Sequence, residues 1–202
     1  MSLDFVQSVE EAYRIRNAWE LSGREDKPRV IVELGAGYGR LAYVCRKMMP
    51  DCVYVILDLP EALTCAHYWL SRTLPGEVVP YDEARRVERF DRETLAARRV
   101  WLLGSQDIEK IARGSVDAFV NVYSLAEMPM TAIENYFTQI ERVTGGVFYS
   151  KQRTVENNAE DGQVIAESDY PVGPHWRRLY HGESSLYEGF FEAAYAFGGK
   201  EA

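Results

Sequence analysis

An acid at Glu33, glycines at Gly35, Gly37 and Gly39, and a second acid at Asp58, 23 residues beyond Gly35, are the residues of this chain best placed to do chemistry together. Glycines permit backbone angles and close approaches that a Cβ would block, so a ligand can lie against bare main chain where a helix begins. The spacing narrows the ligand. A dinucleotide fingerprint puts its third glycine at position 40, which here is Arg40. The anionic Glu33 would also stand beside a pyrophosphate, which disfavours that ligand. A cationic ligand without phosphate suits the acid better. S-adenosylmethionine carries an ammonium and a sulfonium, and Glu33 is expected to hold its amino-acid end directly or through water. Asp58 lies near the offset of roughly 20 residues at which a βαβ unit delivers an acid to a ribose, and Leu59 offers a surface for adenine. Each residue also has a plain structural use: the glycines as a strand-to-helix turn, Asp58 as a helix cap ahead of Pro60.

The elements that must position these groups are legible as apolar runs. Val30, Ile31 and Val32 read as a buried strand, and Leu41, Ala42, Val44 and Cys45 recur at helical spacing just past the glycines. Further strands are expected at 53–57, 100–103, 117–122 and 147–150, with a final pair at 176–180 and 190–197. Helices are expected at 60–72 and 132–143, with Gly145-Gly146 as the turn into the fifth strand. Residues 5–21, with Phe5, Val9, Ala12, Tyr13, Arg16 and Trp19, form an amphipathic helix able to cover the site. The charged stretch 81–99 reads as an exposed helix or two, and 157–167 as a polar loop with a little helix. Alternation of this kind predicts an α/β, Rossmann-like three-layer sandwich with a seven-stranded, mostly parallel sheet whose last strand is antiparallel.

In such a sheet, ligands lie off the carboxyl ends of the strands. Ala36 and Tyr38 therefore join the glycines as donor-binding candidates. Ser105, Gln106 and Asp107 follow the third strand, where Gln106 or Asp107 can accept from an adenine amino group, or Ser105 or Asp107 can simply cap the next helix. Asn121, Tyr123, Ser124 and Glu127 follow the fourth strand, where donor and acceptor would meet, and Pro129 breaks any helix there.

Composition restricts the partners. With 202 residues, 47% of them apolar, the chain can build one good core. It has no run of about 18 apolar residues and no signal-like leader, so a soluble, cytoplasmic protein without a membrane partner is expected. Cys45, Cys52 and Cys65 are an odd number in apolar contexts and read as buried thiols without zinc spacing. A formal charge of −8 disfavours nucleic acid, which needs a basic surface.

The chain resembles the class I S-adenosylmethionine-dependent methyltransferases, and more narrowly a bacterial family of sugar O-methyltransferases. The narrower likeness rests on Glu33-Leu-Gly-Ala-Gly-Tyr-Gly-Arg-Leu41, Ile56-Leu-Asp-Leu-Pro-Glu-Ala-Leu63, Asn121-Val-Tyr-Ser-Leu-Ala-Glu-Met128, Gly146-Val-Phe-Tyr-Ser-Lys151 and the Trp176 to Tyr195 region. It implies S-adenosyl-L-methionine as methyl donor, a sugar or glycan precursor as small-molecule acceptor, a helical lead over 1–27 and a methyltransferase domain over 28–202. The alternatives are methylation of another natural product, a catalytically inactive S-adenosylmethionine-binding protein, and a nicotinamide-dependent dehydrogenase that Arg40 disfavours. The oligomeric state is not readable from these residues.

A sugar hydroxyl is a poor nucleophile, so a base should take its proton during attack. His181, with His175 behind it, and Glu127 are the candidates, while His67 reads as a packing residue. Asp82, Asp169 and Glu188 could supply oxygen ligands to a metal, but nothing in their spacing requires one. Trp176, Tyr180, Tyr187 and Phe190 are placed to stack on a sugar ring or to pack a core. Lys151-Gln152-Arg153 reads as a solvated strand end, or as a contact for an acidic group on the acceptor.

Overall fold

The structure, a computed structural model, describes residues 3–157 and 162–197. Its strands in chain order are β1 (Val30–Leu34), β2 (Val53–Asp58), β3 (Val78–Val79), β4 (Val100–Gly104), β5 (Val116–Val122), β6 (Thr144–Arg153), β7 (Val155–Asn157), β8 (Val164–Ala166), β9 (Arg177–Glu183) and β10 (Phe190–Ala196). Eight of them form one sheet in the order β3-β4-β2-β1-β5-β6-β10-β9. All pairings are parallel except those of β10 with its two neighbours. The last strand is thus antiparallel as expected, but the sheet has eight strands rather than seven. The extra one, β3, is two residues long, too short to show any periodicity. β7 and β8 form a separate antiparallel pair at either end of the stretch 157–167 expected as a polar loop with a little helix; residues 158–161 of it lie outside the described residues, and a single helical turn follows at Glu167–Asp169.

Helices cover both faces, which is why β1 and β2 read as continuous apolar runs rather than alternating ones. On one face α1 (Leu3–Leu21), α2 (Arg40–Met48) and α3 (Pro60–Thr73) bury Ile15, Trp19, Leu41, Val44, Leu63 and Leu70 against Ile31, Tyr54, Ile56 and Tyr149. On the other, α4 (Tyr81–Ala84), α5 (Arg92–Ala96) and α6 (Met130–Val143) cover Val32, Leu34, Phe119 and Phe148. The charged 81–99 stretch is less superficial than its composition suggests, since Phe90 and Leu95 are fully buried. Helices in proteins owe most of their stability to tertiary packing, and α1 is no exception. Its hold on the sheet comes from Ala12, Ile15, Ala18 and Trp19, all buried. Trp176 also belongs to a core, stacked parallel to Phe137 at 5.6 Å and donating to Glu141, so it offers no face to a sugar. Cys45 and Cys52 are buried free thiols, whereas Cys65 is exposed, contrary to its apolar sequence context. No helix among the described residues is long and apolar enough to cross a membrane.

The order reverses between β1 and β5, and this switch point fixes where a ligand can bind. Its geometry is set from below by Asp117 on β5, whose carboxylate accepts from the backbone N–H of Arg29 at 2.9 Å and of Val30 at 3.0 Å and also pairs with Arg92. Gly146 closes the same region. It lies inside β6 and not in a turn, because a Cβ there would meet the Asp117 carbonyl oxygen at 2.0 Å and the Trp19 ring at 2.5 Å. Backbone and indole leave no way to give, so Gly146→Ala should destabilise the fold by about 1–3 kcal/mol. Urea unfolding with an unchanged slope and a lowered midpoint would show this, and an unchanged midpoint would refute it.

Candidate functional site

β1 delivers the chain into the glycine turn, and three glycines there have three different reasons. A Cβ on Gly35 would overlap Ser124 Oγ at 2.0 Å, and one on Gly39 would meet Leu70 at 2.7 Å, so these two make packing close. Gly37 faces open space, with nothing within 4 Å of a would-be Cβ. All three have positive φ, at 76°, 56° and 85°. Asp58, at the end of β2, reaches across to this turn. Its carboxylate accepts from Gly37 N–H at 2.8 Å and from Leu59 N–H at 2.7 Å. Burial raises its pKa, and the hydrogen bonds from Leu59, Gly37 and Ala36 oppose that rise.

Above these groups lies a cavity of about 310 Å³, lined among others by Gly35, Asp58, Leu59, Ser105, Ser124 and Glu127. This is the low end of the range for small-molecule sites, roughly 300–1,000 Å³. A larger hollow of about 450 Å³ lies at the opposite end of the sheet, around Arg29 and Cys52. The carboxyl-end cavity is the better candidate because the glycine turn, the switch point and Asp58 converge on it. Sequence reasoning missed Met128, Ala132 and Tyr136 in its lining. Their signal was the four-residue spacing of Ala132 and Tyr136 at the start of α6, which puts both on one helical face. Glu127 is exposed at this cavity rather than partly buried.

Glu33 sits on the α1 side of the sheet, 3% exposed, and accepts from Tyr54 Oη at 2.8 Å. Burial pushes its pKa up to about 8. Asn121 is wholly buried and serves the frame: its amide donates to the Leu34 carbonyl at 2.9 Å and to Ser124 Oγ at 2.7 Å, and its oxygen accepts from Gln152. Tyr123, with φ of 67°, turns outward to Glu156 at 3.2 Å. Asp107 caps its own turn by accepting from Gly104 N–H at 3.0 Å and pairs with Lys110. Gln106 lies over Gly104 beside Tyr81, and Tyr38 packs edge-on to Trp69 at 5.1 Å. His181 pairs with Glu167 on β9, four strands from β1 or about 19 Å at ordinary strand spacing. The structure therefore gathers the glycines, Asp58, Leu59, Ser105, Ser124 and Glu127, and leaves His181 apart. Among the described residues no group of three or more His, Cys, Asp or Glu side chains is arranged to hold a metal ion.

Two groups that read as a solvated end and a helix face instead meet in the interior. Lys151 is completely buried, its Nζ 3.4 Å from Glu10, 3.6 Å from Glu11 and 3.3 Å from Glu192. The available signal was a lysine continuing an apolar strand run.

No family model matches the chain, and no curated protein matches it in sequence. Solved structures match in fold. They include the pyocyanin biosynthetic protein PhzM (15% identity, 93% of this chain and 56% of that one, TM-score 0.58). They also include the mitomycin 7-O-methyltransferase MmcR (14%, 95% and 54%, TM-score 0.61) and a geranyl diphosphate methyltransferase in complex with SAM (10%, 93% and 84%, TM-score 0.61). The chain spans little more than half the length of PhzM and MmcR. At these identities the likeness establishes the Rossmann-like α/β fold that these proteins share, with the mostly parallel sheet described above.

Proposed function

We propose that this chain is an S-adenosylmethionine-dependent methyltransferase that methylates a hydroxyl of a small molecule, a sugar or sugar-bearing compound in particular. The observation that carries the reading is the open face of Gly37 held beside Asp58 at the switch point of the sheet. A donor nucleoside fits the adjoining cavity, with Asp58 accepting from ribose hydroxyls through lone pairs its backbone contacts leave free. The donor's amino-acid end runs over the bare turn toward Glu33. When bound, the donor supplies an electrophilic methyl carbon, and the protein's part is to align an acceptor oxygen with it, a positioning effect worth up to about 7–11 kcal/mol. The methyltransferases among its structural neighbours support this reading, as does the resemblance carried by the Asp58-Leu-Pro and Tyr123-Ser-x-x-Glu-Met segments.

Thermal unfolding in the presence of S-adenosylmethionine, S-adenosylhomocysteine or NAD tests the class, since a ligand that binds only the folded state raises the melting temperature. The first two should raise it; a shift with NAD alone would establish the dehydrogenase reading instead. Gly37→Val should abolish donor binding in calorimetry while the protein stays folded, because the branched side chain enters open ligand space and not packed core. Asp58→Ala should weaken donor binding by about 1–3 kcal/mol by removing hydrogen-bond partners, and an unchanged affinity would leave Asp58 as a clamp on the turn only.

Glu33 gives a pH dependence with a definite sign. Its pKa of about 8 in the free protein means that it is protonated at neutral pH. A donor ammonium favours the carboxylate, so binding expels the proton. Donor affinity should rise with pH toward about 8 and then level off, and Glu33→Gln should flatten the rise. A wild-type profile as flat as the variant's would separate Glu33 from the donor.

A further inference from the structure

We propose that Tyr123, Phe190 and Tyr187, flanked by Arg153 and Glu156, form an open platform at the carboxyl edge of the sheet on which the acceptor lies, a neutral sugar ring set against the aromatic faces. The proposal rests on the donor reading above and assigns the acceptor half of the same reaction.

The sheet brings these residues to one place beside the donor cavity. Val122 pairs with Lys151 and Arg153 with Phe190. Tyr123 therefore leaves β5, Arg153 ends β6 and Phe190 opens the antiparallel β10 at the edge where ligands bind. The Phe190 ring lies 5.5 Å from that of Tyr123 and 5.8 Å from that of Tyr187. The Arg153 guanidinium stands 5.6 Å from the Tyr123 ring and 5.4 Å from the Phe190 ring. Tyr123 is joined by one peptide bond, about 3.8 Å between Cα atoms, to Ser124, whose side chain closes on Gly35 and lines the donor cavity. Glu127 lines the same cavity, and its charge acts on the Tyr123 phenol.

The backbone at Tyr123 is held in a conformation that its side chain resists. Among the described residues it is the one non-glycine residue with positive φ, at 67°. A bulky side chain is strained there, and such strain gathers at functional sites. Two hydrogen bonds fix it: the Tyr123 N–H donates to the Lys151 carbonyl at 2.8 Å, and its hydroxyl donates to Glu156 at 3.2 Å. Core packing does not explain the strain. Tyr123, Phe190 and Tyr187 are half-buried and belong to neither hydrophobic core, so three large rings pack on one another and on Arg153 at the rim.

The chemistry of the platform selects its ligand. Aromatic faces carry negative charge density and attract the polarised C–H groups on one side of a sugar ring. Arg153 and Glu156, paired at 3.2 Å, set donors and acceptors beside the rings for hydroxyls, with the Arg153 side chain half exposed. A plain aromatic alcohol would cover the rings and leave that pair without hydroxyl partners. Glu156 offsets the Arg153 charge, and Glu127 adds a second carboxylate. Burial and then the Glu156 charge raise the Tyr123 pKa, which keeps the phenol neutral. Lys151 Nζ is 5.7 Å from the Tyr187 ring, but it is buried and held by Glu10, Glu11 and Glu192. No surplus positive charge is left for a phosphate or a uronic acid, so a neutral ring is the better fit.

The test first confirms by calorimetry that the protein binds S-adenosylhomocysteine. It then offers S-adenosylmethionine with the methyl α-glycosides of glucose, galactose, mannose, rhamnose and glucuronic acid, and with catechol, and follows the methyl increment by mass spectrometry. At least one neutral glycoside should be methylated, with a higher kcat/KM than the glucuronide or catechol. Tyr123→Gly should stay folded, since glycine takes a φ of 67° without strain. It and Phe190→Ala should each raise the KM for that glycoside tenfold or more. S-adenosylhomocysteine affinity, which also reports folding, should stay within twofold of wild type. Methylation of no neutral glycoside, a preference for the glucuronide or catechol, or a glycoside KM that neither substitution moves overturns the proposal. Failure of the wild-type protein to bind S-adenosylhomocysteine overturns the donor reading first, and this one with it.

Discussion

The hydrogen bonds from Gly37 and Leu59 to the Asp58 carboxylate hold the site in place. Parallel strands end without a direct link at their carboxyl edge, and the chains leave β1 and β2 in different directions. One side chain that binds both exits fixes the glycine turn against β2, and with it the start of α2. Gly35 and Gly39 depend on this, since Ser124 and Leu70 close on them at distances no side chain tolerates. The open face at Gly37 is what remains when the two flanking glycines are used for packing.

A second constraint comes from the charged groups that the α1 face keeps out of water. Burying an unpaired charge costs several kcal/mol, so surplus groups neutralise instead. Glu33 and Glu11 do so by holding protons, with pKa values pushed up to about 8 and about 7. Glu11 adds to the rise at Glu33, and Arg40 pulls both down. A cationic donor changes that balance, because an added positive charge lets carboxylates ionise where they could not before.

Much of the frame was legible because its signals are local. Val30 to Val32 and Val53 to Leu57 are continuous apolar runs that a strand covered on both faces carries, and the acid following each run, Glu33 or Asp58, stands near the carboxyl edge of the sheet. What stayed hidden depends on residues far apart in the chain. Lys151 follows an apolar run and looks like a solvated end, yet its partners come from α1, 141 residues away in the case of Glu10, and from β10. Gly146 looks like half of a turn until Trp19 arrives from α1. Asp107 and Asn121 have the right residue types for ligand contacts, but the turn at Gly104 and the end of β1 use them first. The pair β7 and β8 is only three residues a side and sets Glu156 and Asn157 against Ile165 and Val164, too short to show the apolar alternation that announces a strand.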